Sequence, residues 1–443
     1  MKHLRDIYLN NRLFIGTGIV VLAFIVSFVL SLPVILPKIL LLLLVALLIA
    51  DVLLLFGTKK GLHGYRFTPD KLSNGDENEI RIYLENFYPF TISLEIIDEI
   101  PHQFQKRDVS FQLTLDSRST KTITYFLRPV KRGEYSFGSV NGFVSSPMKL
   151  AKRRFRFSAD ALVPVYPSYI QMRKYELMAI SNRLTDVGVK KIRRIGHNME
   201  FELIKEYVAG DDVRTINWKA TARKTHLMVN HYQDERSQQV YSLIDKGRVM
   251  QMPFNGMSLL DYAINACLVI SNIAIRKSDK AGLITFQNNI NTTLPASRSN
   301  RQMAQIQEVL YNQKTGYRES DFSVVYSHIR RKITQRSLLL LFTNFESLYG
   351  MQRQLPFLKS LSKQHVLVVI FFENTELTSL TATPAFQLKD IYYKAVAEKF
   401  AYDKKLIVKE LQQAGIQTIL TAPERLTVNT INKYLELKAR GII

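Results

Sequence analysis

The sequence predicts a multidomain chain in which a two-helix transmembrane hairpin is followed by an antiparallel β-sandwich and then an α/β domain with an open parallel sheet. Three patterns carry this reading: two apolar runs near the start, a middle stretch alternating polar and apolar residues, and a final stretch where apolar runs alternate with helical stripes. The division that follows is 1–61 for the hairpin with cytoplasmic flanks, 62–168 for the sandwich, 169–235 for a basic linker and signature segment, and 236–443 for the α/β domain.

Leu13 to Leu32 holds no charge, and Ile39 to Gly57 holds one acid, Asp51. Each is close to the ~20 residues that cross a hydrocarbon core. Pro33 to Lys38 supplies two prolines and a charge, which suits a turn between spans. A cleaved signal peptide has a shorter apolar core of ~7–15 residues and no second span. Lys2, Arg5 and Arg12 precede the first run and Lys59, Lys60 and Arg66 follow the second, so the positive-inside rule puts both ends in the cytoplasm. Asp51 lies near the end of its helix, which suggests a snorkelling or helix-packing residue.

From 62 to 168 the period is two. Glu79–Glu85, Ser110–Leu115 and Thr120–Leu127 alternate, with turn chemistry at Ser73-Asn74-Gly75-Asp76, Tyr88-Pro89 and Arg132-Gly133. Short alternating strands punctuated this way predict a small sandwich. From 236 on, Gln239–Asp245, Ala281–Phe286, Ser337–Thr343 and His365–Phe372 read as strands buried on both faces of a parallel sheet. Ser258–Lys277 places Leu260, Ala263, Ile264, Cys267, Leu268 and Ile270 on one helical stripe, which makes Cys267 a core residue. Further helices are expected at 301–312, 322–332, 389–414 and 427–440.

In an open α/β sheet, ligands bind at the carboxyl ends of strands where the strand order reverses. That directs attention to Asp245-Lys246-Gly247 and Thr343-Asn344-Phe345, whose oxygens could hold a hard cation such as Mg²⁺.

Composition narrows the chemistry. The 443 residues carry 60 Lys+Arg against 38 Asp+Glu, a formal charge of +22, which leaves nucleic acid, anionic lipid and an acidic protein as partner classes. One cysteine excludes a disulfide scaffold and a multi-cysteine metal site. The pattern G-x-x-x-x-G-K-[ST] is absent, so the chain should not hydrolyse ATP, and G-x-S-x-G and H-E-x-x-H are also missing. His226 and His231, five apart on an expected strand, point to opposite faces and read as two separate residues. The basic runs Lys152–Arg156 and Lys190–Arg194 are read as lipid-facing or partner-facing rather than nucleic-acid-binding.

Residues 200–236 are the most distinctive. Glu206, Tyr207, Gly210, Asp211, Asp212, Arg214, Ile216, Trp218, Ala220, Ala222 and Arg223 fit an E-Y-x-x-G-D-D-x-R-x-I-x-W-x-A-x-A-R stretch. In this the chain resembles the membrane-protein family called domain of unknown function 58. Arg132–Gly138 and Val165–Ser168 resemble it too. The resemblance implies that the α/β domain is von Willebrand factor A-like, and that the chain works beside a MoxR-type AAA+ ATPase in the bacterial inner (cytoplasmic) membrane. It also implies a metal site, D-x-S-x-S with a Thr and a second Asp. Here Asp245 is kept, Gly247 and Val249 stand for the two serines, Ser320 falls where the Thr would, and Asn344 replaces the later Asp.

The function expected is therefore a non-enzymatic, membrane-anchored adaptor with a degenerate metal site at Asp245, Ser320 and Asn344. Partner contacts are expected at Asp211, Asp212, Arg214, Asp245 and Asn344, with Glu206, Tyr207, Gly210, Trp218 and Arg223 structural and Trp218 anchored by burial. The alternatives are a hydrolase using Asp211 and Asp212, or a basic module binding anionic lipid or nucleic acid.

Overall fold

The computed structural model describes residues 6–30, 32–58, 60–106, 109–157, 161–180, 203–208, 216–224, 226–231, 237–377 and 387–443. Two compact units divide the chain, Met1–Tyr166 and Pro167–Ile443.

In the first unit, Asn10 caps α1 (Asn11–Val29) by accepting the Asn11 N–H at 2.8 Å. The second apolar run forms α2 (Ile35–Gly57), which starts earlier than expected. Pro37 sits in its first turn, where a missing N–H costs nothing. Gly16 of α1 lies so close to α2 that a Cβ there would stand 3.1 Å from Leu44 Cδ1. Both helices are long and apolar enough to cross a membrane.

The strands of this unit are β1 (Ile7–Leu9), β2 (Leu62–Phe67), β3 (Leu72–Ser73), β4 (Asn78–Asn86), β5 (Ile92–Asp98), β6 (Ser110–Leu115), β7 (Thr120–Leu127), β8 (Gly133–Phe137), β9 (Val140–Ser145), β10 (Ala151–Phe157) and β11 (Ala161–Tyr166). They form sheets ordered β1-β10-β9-β5-β6, β2-β4-β7 and β3-β11-β8. The period-two pattern works as read: Ile80, Ile82 and Leu84 of β4 are fully buried, each contributing about 1.5–3 kcal/mol. Ile82 and Leu84 share a core with Leu94 and Ile96 of β5 across the sandwich, and Leu48, Val52 and Leu55 of α2 enter that core.

The end of α2 is bonded into the sandwich. Arg153 Nη1 donates to the Leu55 carbonyl at 2.7 Å and the Thr58 carbonyl at 2.9 Å, and the Tyr88 hydroxyl donates to Leu55 at 2.7 Å. These donors satisfy carbonyls that the helix end leaves open. Asp51 accepts from the Ser146 hydroxyl and from the Leu150 and Ala151 N–H groups at 2.9 and 2.8 Å. It neither snorkels nor packs helix on helix. The basic run on β10 is likewise spent internally: Lys152 pairs with Glu95 at 2.8 Å, Arg154 donates to Asn141 Oδ1 and Arg156 to Ser139 Oγ. Arg156 is nonetheless exposed, and Lys152 and Arg154 are half-buried. The run 190–194 lies outside the described residues.

In the second unit, α3 (Tyr169–Ile180), β12 (Leu203–Glu206), α4 (Trp218–Lys224) and β13 (Met228–His231) precede the sheet. Residues 169–180 are not linker. Tyr175 is buried in the core beside α5 (Leu259–Arg276), and the Ser168 N–H donates to Asn265 Oδ1 at 2.9 Å. The sheet strands are β14 (Gln239–Asp245), β17 (Lys280–Phe286), β18 (Ile290–Ser297), β19 (Leu338–Phe342), β20 (Val366–Phe372) and β21 (Gln417–Thr421), and β15 (Pro253–Phe254) and β16 (Met257–Ser258) make a hairpin between β14 and α5. Its turn, Asn255-Gly256, has both φ angles positive, as a two-residue hairpin requires.

The sheet order is β18-β17-β14-β19-β20-β21, with only β18 antiparallel to its neighbour. Helix α5, helix α6 (Gln302–Tyr311) and the helix Leu426–Ala439 cover one face. Helix α7 (Phe322–Lys332), helix α8 (Leu348–Gln364) and the helix Leu388–Gln413 cover the other. α5 is apolar enough to span a membrane, but 83% of it is buried in protein, so it is a core helix. Cys267 sits on it, fully buried, its thiol pushed up to about 11 by burial.

Candidate functional site

The chain runs from β14 outward to β17 and β18, then crosses back to β19, β20 and β21 on the other side. The strand order therefore reverses between β14 and β19, and the loops leaving their carboxyl ends part there. Asp245 is the last residue of β14, and Thr343 and Asn344 follow β19.

Asp245 is 1% exposed. Its Oδ1 accepts the Gly247 N–H at 2.8 Å and the Ser320 hydroxyl, and its Oδ2 accepts the Thr343 hydroxyl at 2.6 Å. Burial pushes its carboxyl pKa upward, against the pull of those three donors. A Cβ on Gly247 would fall on Ser320 Oγ and stand 3.1 Å from Asp245 Oδ1, so any side chain there would displace the Ser320 hydroxyl. Ser320 thus fills the space that a side chain at 247 would take. A cavity of about 420 Å³ opens here, lined by Asp245, Ser320, Thr343 and Asn344 and by Glu319 and Glu346.

Asn344 is not part of this cluster. Its Oδ1 accepts from Lys404 Nζ at 2.6 Å, and the same ammonium donates to the Phe345 carbonyl at 2.6 Å. The expected trio of Asp245, Ser320 and Asn344 separates into a pair around Asp245 and an amide turned to lysine. Burial holds the Lys404 ammonium down, to about 8, while the charge of Glu346 works the other way.

These residues do not fit a divalent ion. Mg²⁺ takes six oxygens in near-octahedral array, with one or two carboxylates. Asp245 already accepts three hydrogen bonds and is the one carboxylate of the cluster, Gly247 and Val249 offer no side-chain oxygen, and Asn344 is held by a cation already. Glu319 and Glu346 are turned to Arg353 at 2.9 Å and Arg248 at 3.5 Å. No group of three or more His, Cys, Asp or Glu side chains converges among the described residues.

The signature segment is only partly described. Gly210, Asp211, Asp212 and Arg214 lie outside the described residues. Of the rest, Ile216 bridges to Val229, and the Tyr207 N–H donates to the Leu227 carbonyl at 2.7 Å. Asn217 accepts the Ala220 N–H at 3.0 Å and so caps α4. Glu206 and Arg223 are exposed. Trp218, the first residue of α4, is 70% exposed, not a buried anchor. His226 precedes β13 rather than sharing a strand with His231.

One residue of the rim, Lys404, escaped the sequence reading. Lys404 gave no signal, since its helix carries lysines at 389, 394, 399, 405 and 409 as well.

Residues 204–394 match the family described as "Protein of unknown function DUF58". The uncharacterized protein YeaD of Bacillus subtilis (strain 168) is 25% identical over 205 residues, which is 44% of this chain and 50% of that protein. The chain thus spans about half the length of that curated relative. Among solved structures, BatB of Bacteroides thetaiotaomicron is similar over 46% of this chain and 100% of its own, at 11% identity and a TM-score of 0.29. A CARDB domain from Pyrococcus furiosus is similar over 24% of this chain and 86% of its own, at 15% identity and a TM-score of 0.18. Scores this low carry no argument about function.

Proposed function

We propose, from the premise that this chain carries a DUF58-family segment at residues 204–394, that it is a membrane-anchored adaptor facing the cytoplasm. Its α/β domain is von Willebrand factor A-like, and it engages a MoxR-type AAA+ ATPase through the rim where β14 and β19 end. The observation that carries this reading is the rim itself. Asp245, buried on two hydroxyls and an amide, ties the loops of the rim together beneath the exposed side chains of Glu319, Glu346 and Tyr349, which a partner can reach. The helices α1 and α2 supply the anchor. The positive residues flanking them favour a cytoplasmic placement in the bacterial inner membrane.

Affinity capture from detergent-solubilised native membranes, with and without a non-hydrolysable ATP analogue and Mg²⁺, tests the proposal. An AAA+ ATPase should be recovered in a nucleotide-dependent way and lost when Asp245→Ala, Ser320→Ala and Asn344→Ala are combined. No ATPase under either condition sinks the adaptor reading, and hydrolysis by the Asp211 and Asp212 segment becomes the next question.

A further inference from the structure

Beside the rim lies a second cavity, of about 510 Å³, with Asn344 and Glu346 in its wall. Ligand pockets typically measure about 300–1,000 Å³. Its sides are Phe254, Leu259, Phe372, Leu377, Phe400 and Leu420, so a guest would bury an apolar body there.

One charge stands out in it. Lys404 lies against the cavity and over the Phe371 ring at 5.7 Å, yet its two hydrogen-bond partners, Asn344 Oδ1 and the Phe345 carbonyl, are neutral oxygens. Among the described residues it makes no ion pair. An ammonium has three N–H donors, so one remains. Mostly buried lysines without a carboxylate are unusual, because burying an uncompensated charge is costly. The other charged groups facing the cavity are Glu346, Glu373, Glu376 and Lys405. Glu346 and Glu376 are exposed at its mouth, and Glu346 is turned to Arg248. Glu373 and Lys404 are half-buried, and Lys404 is the one whose hydrogen bonds leave a donor toward the cavity.

We propose that this cavity binds a small monocarboxylate with an apolar body, acyl or aryl, whose carboxylate pairs with Lys404 Nζ. The pairing gives Lys404 a carboxylate in direct contact, closer than Glu346, and needs no divalent ion. It goes beyond the adaptor reading and does not depend on it, since the ligand is a small molecule and no ATPase takes part.

The test is a calorimetric titration of the full chain in lipid nanodiscs with octanoate and with 3-phenylpropanoate, in EDTA. The two acids separate an acyl source from an aryl one, and 3-phenylpropanamide serves as the uncharged control. At least one acid should bind saturably, with the amide at least tenfold weaker, and its affinity should fall as pH rises above about 8, where free Lys404 loses its proton. Lys404→Met should weaken the acid at least tenfold. Ala401→Phe, which pushes a ring into the cavity from its wall, should abolish binding while the fold is kept. Equal binding of acid and amide, an unchanged affinity in Lys404→Met, or no saturable binding of either acid overturns the proposal.

Discussion

Asp51 accepts the backbone N–H of Ala151 at 2.8 Å, which ties the second apolar helix to the first residue of β10. With the Ser146 hydroxyl and the Leu150 N–H, one carboxylate satisfies three donors at the point where α2 meets the sandwich. A buried donor left without its acceptor costs about 1–3 kcal/mol. Asp51→Ala should therefore lower unfolding stability of the first unit by about 2–4 kcal/mol, read as earlier proteolysis in the turn between β9 and β10. Asp51→Asn, which keeps an acceptor oxygen, should lose less. Equal resistance in all three proteins would contradict the docking role.

The rim makes a second prediction through Gly247. Gly247→Ser should drive its side chain into Ser320 and destabilise by about 1–3 kcal/mol, as overpacking does. In the double variant with Ser320→Ala, most of that loss should return, because contacting residues couple. Additive losses in a double-mutant cycle would mean that the two residues do not compete for one space.

Trp218 is the only tryptophan, so its fluorescence reports one place. At 70% exposure it should be quenched readily by iodide in the native protein. Trp218→Ala should change stability by no more than about 0.5 kcal/mol, as an exposed site does. A quench-resistant, blue-shifted emission would restore the buried anchor that the sequence suggested.

His365 gives the pH dependence. It is 4% exposed, its Nδ1 accepts the Ser337 N–H at 3.3 Å, and burial lowers its pKa below the ordinary 6.5. Its Nε2 has no protein partner among the described residues. The folded state thus keeps this ring neutral where the unfolded chain would protonate it. Stability should fall as pH drops below about 6.5, with this residue contributing at most ~1.4 kcal/mol per pH unit. His365→Gln should flatten that slope in denaturation curves taken from pH 7.5 to 5. An unchanged slope would assign the acid sensitivity elsewhere.

Strong periodicity made much of this fold legible. The run Gln239–Asp245 is β14 to the residue, and the stripe on Ser258–Lys277 is α5. Weaker signals were missed for identifiable reasons. β18 carries Pro295 and three hydroxyl residues, which suit an edge strand but hide its pattern. Helix α8 holds Pro356 in its interior, which reads as a helix end. β1 is too short to signal anything, and it exists because β10 offers it a partner. At the rim, the strand ends located Asp245, but side-chain direction was invisible. Nothing in the sequence separates an Asn344 aimed at Asp245 from one claimed by a lysine sixty residues later.

The central claim is that the adaptor meets its ATPase at the carboxyl end of the sheet. A photo-crosslinking residue placed at Tyr349, 82% exposed beside the rim, tests it most directly against one at Gln335, exposed before β19 at the opposite end. With a non-hydrolysable ATP analogue in native membranes, the account predicts an AAA+ ATPase adduct from position 349 and none from 335. An adduct from 335 instead, or from neither position, would contradict it.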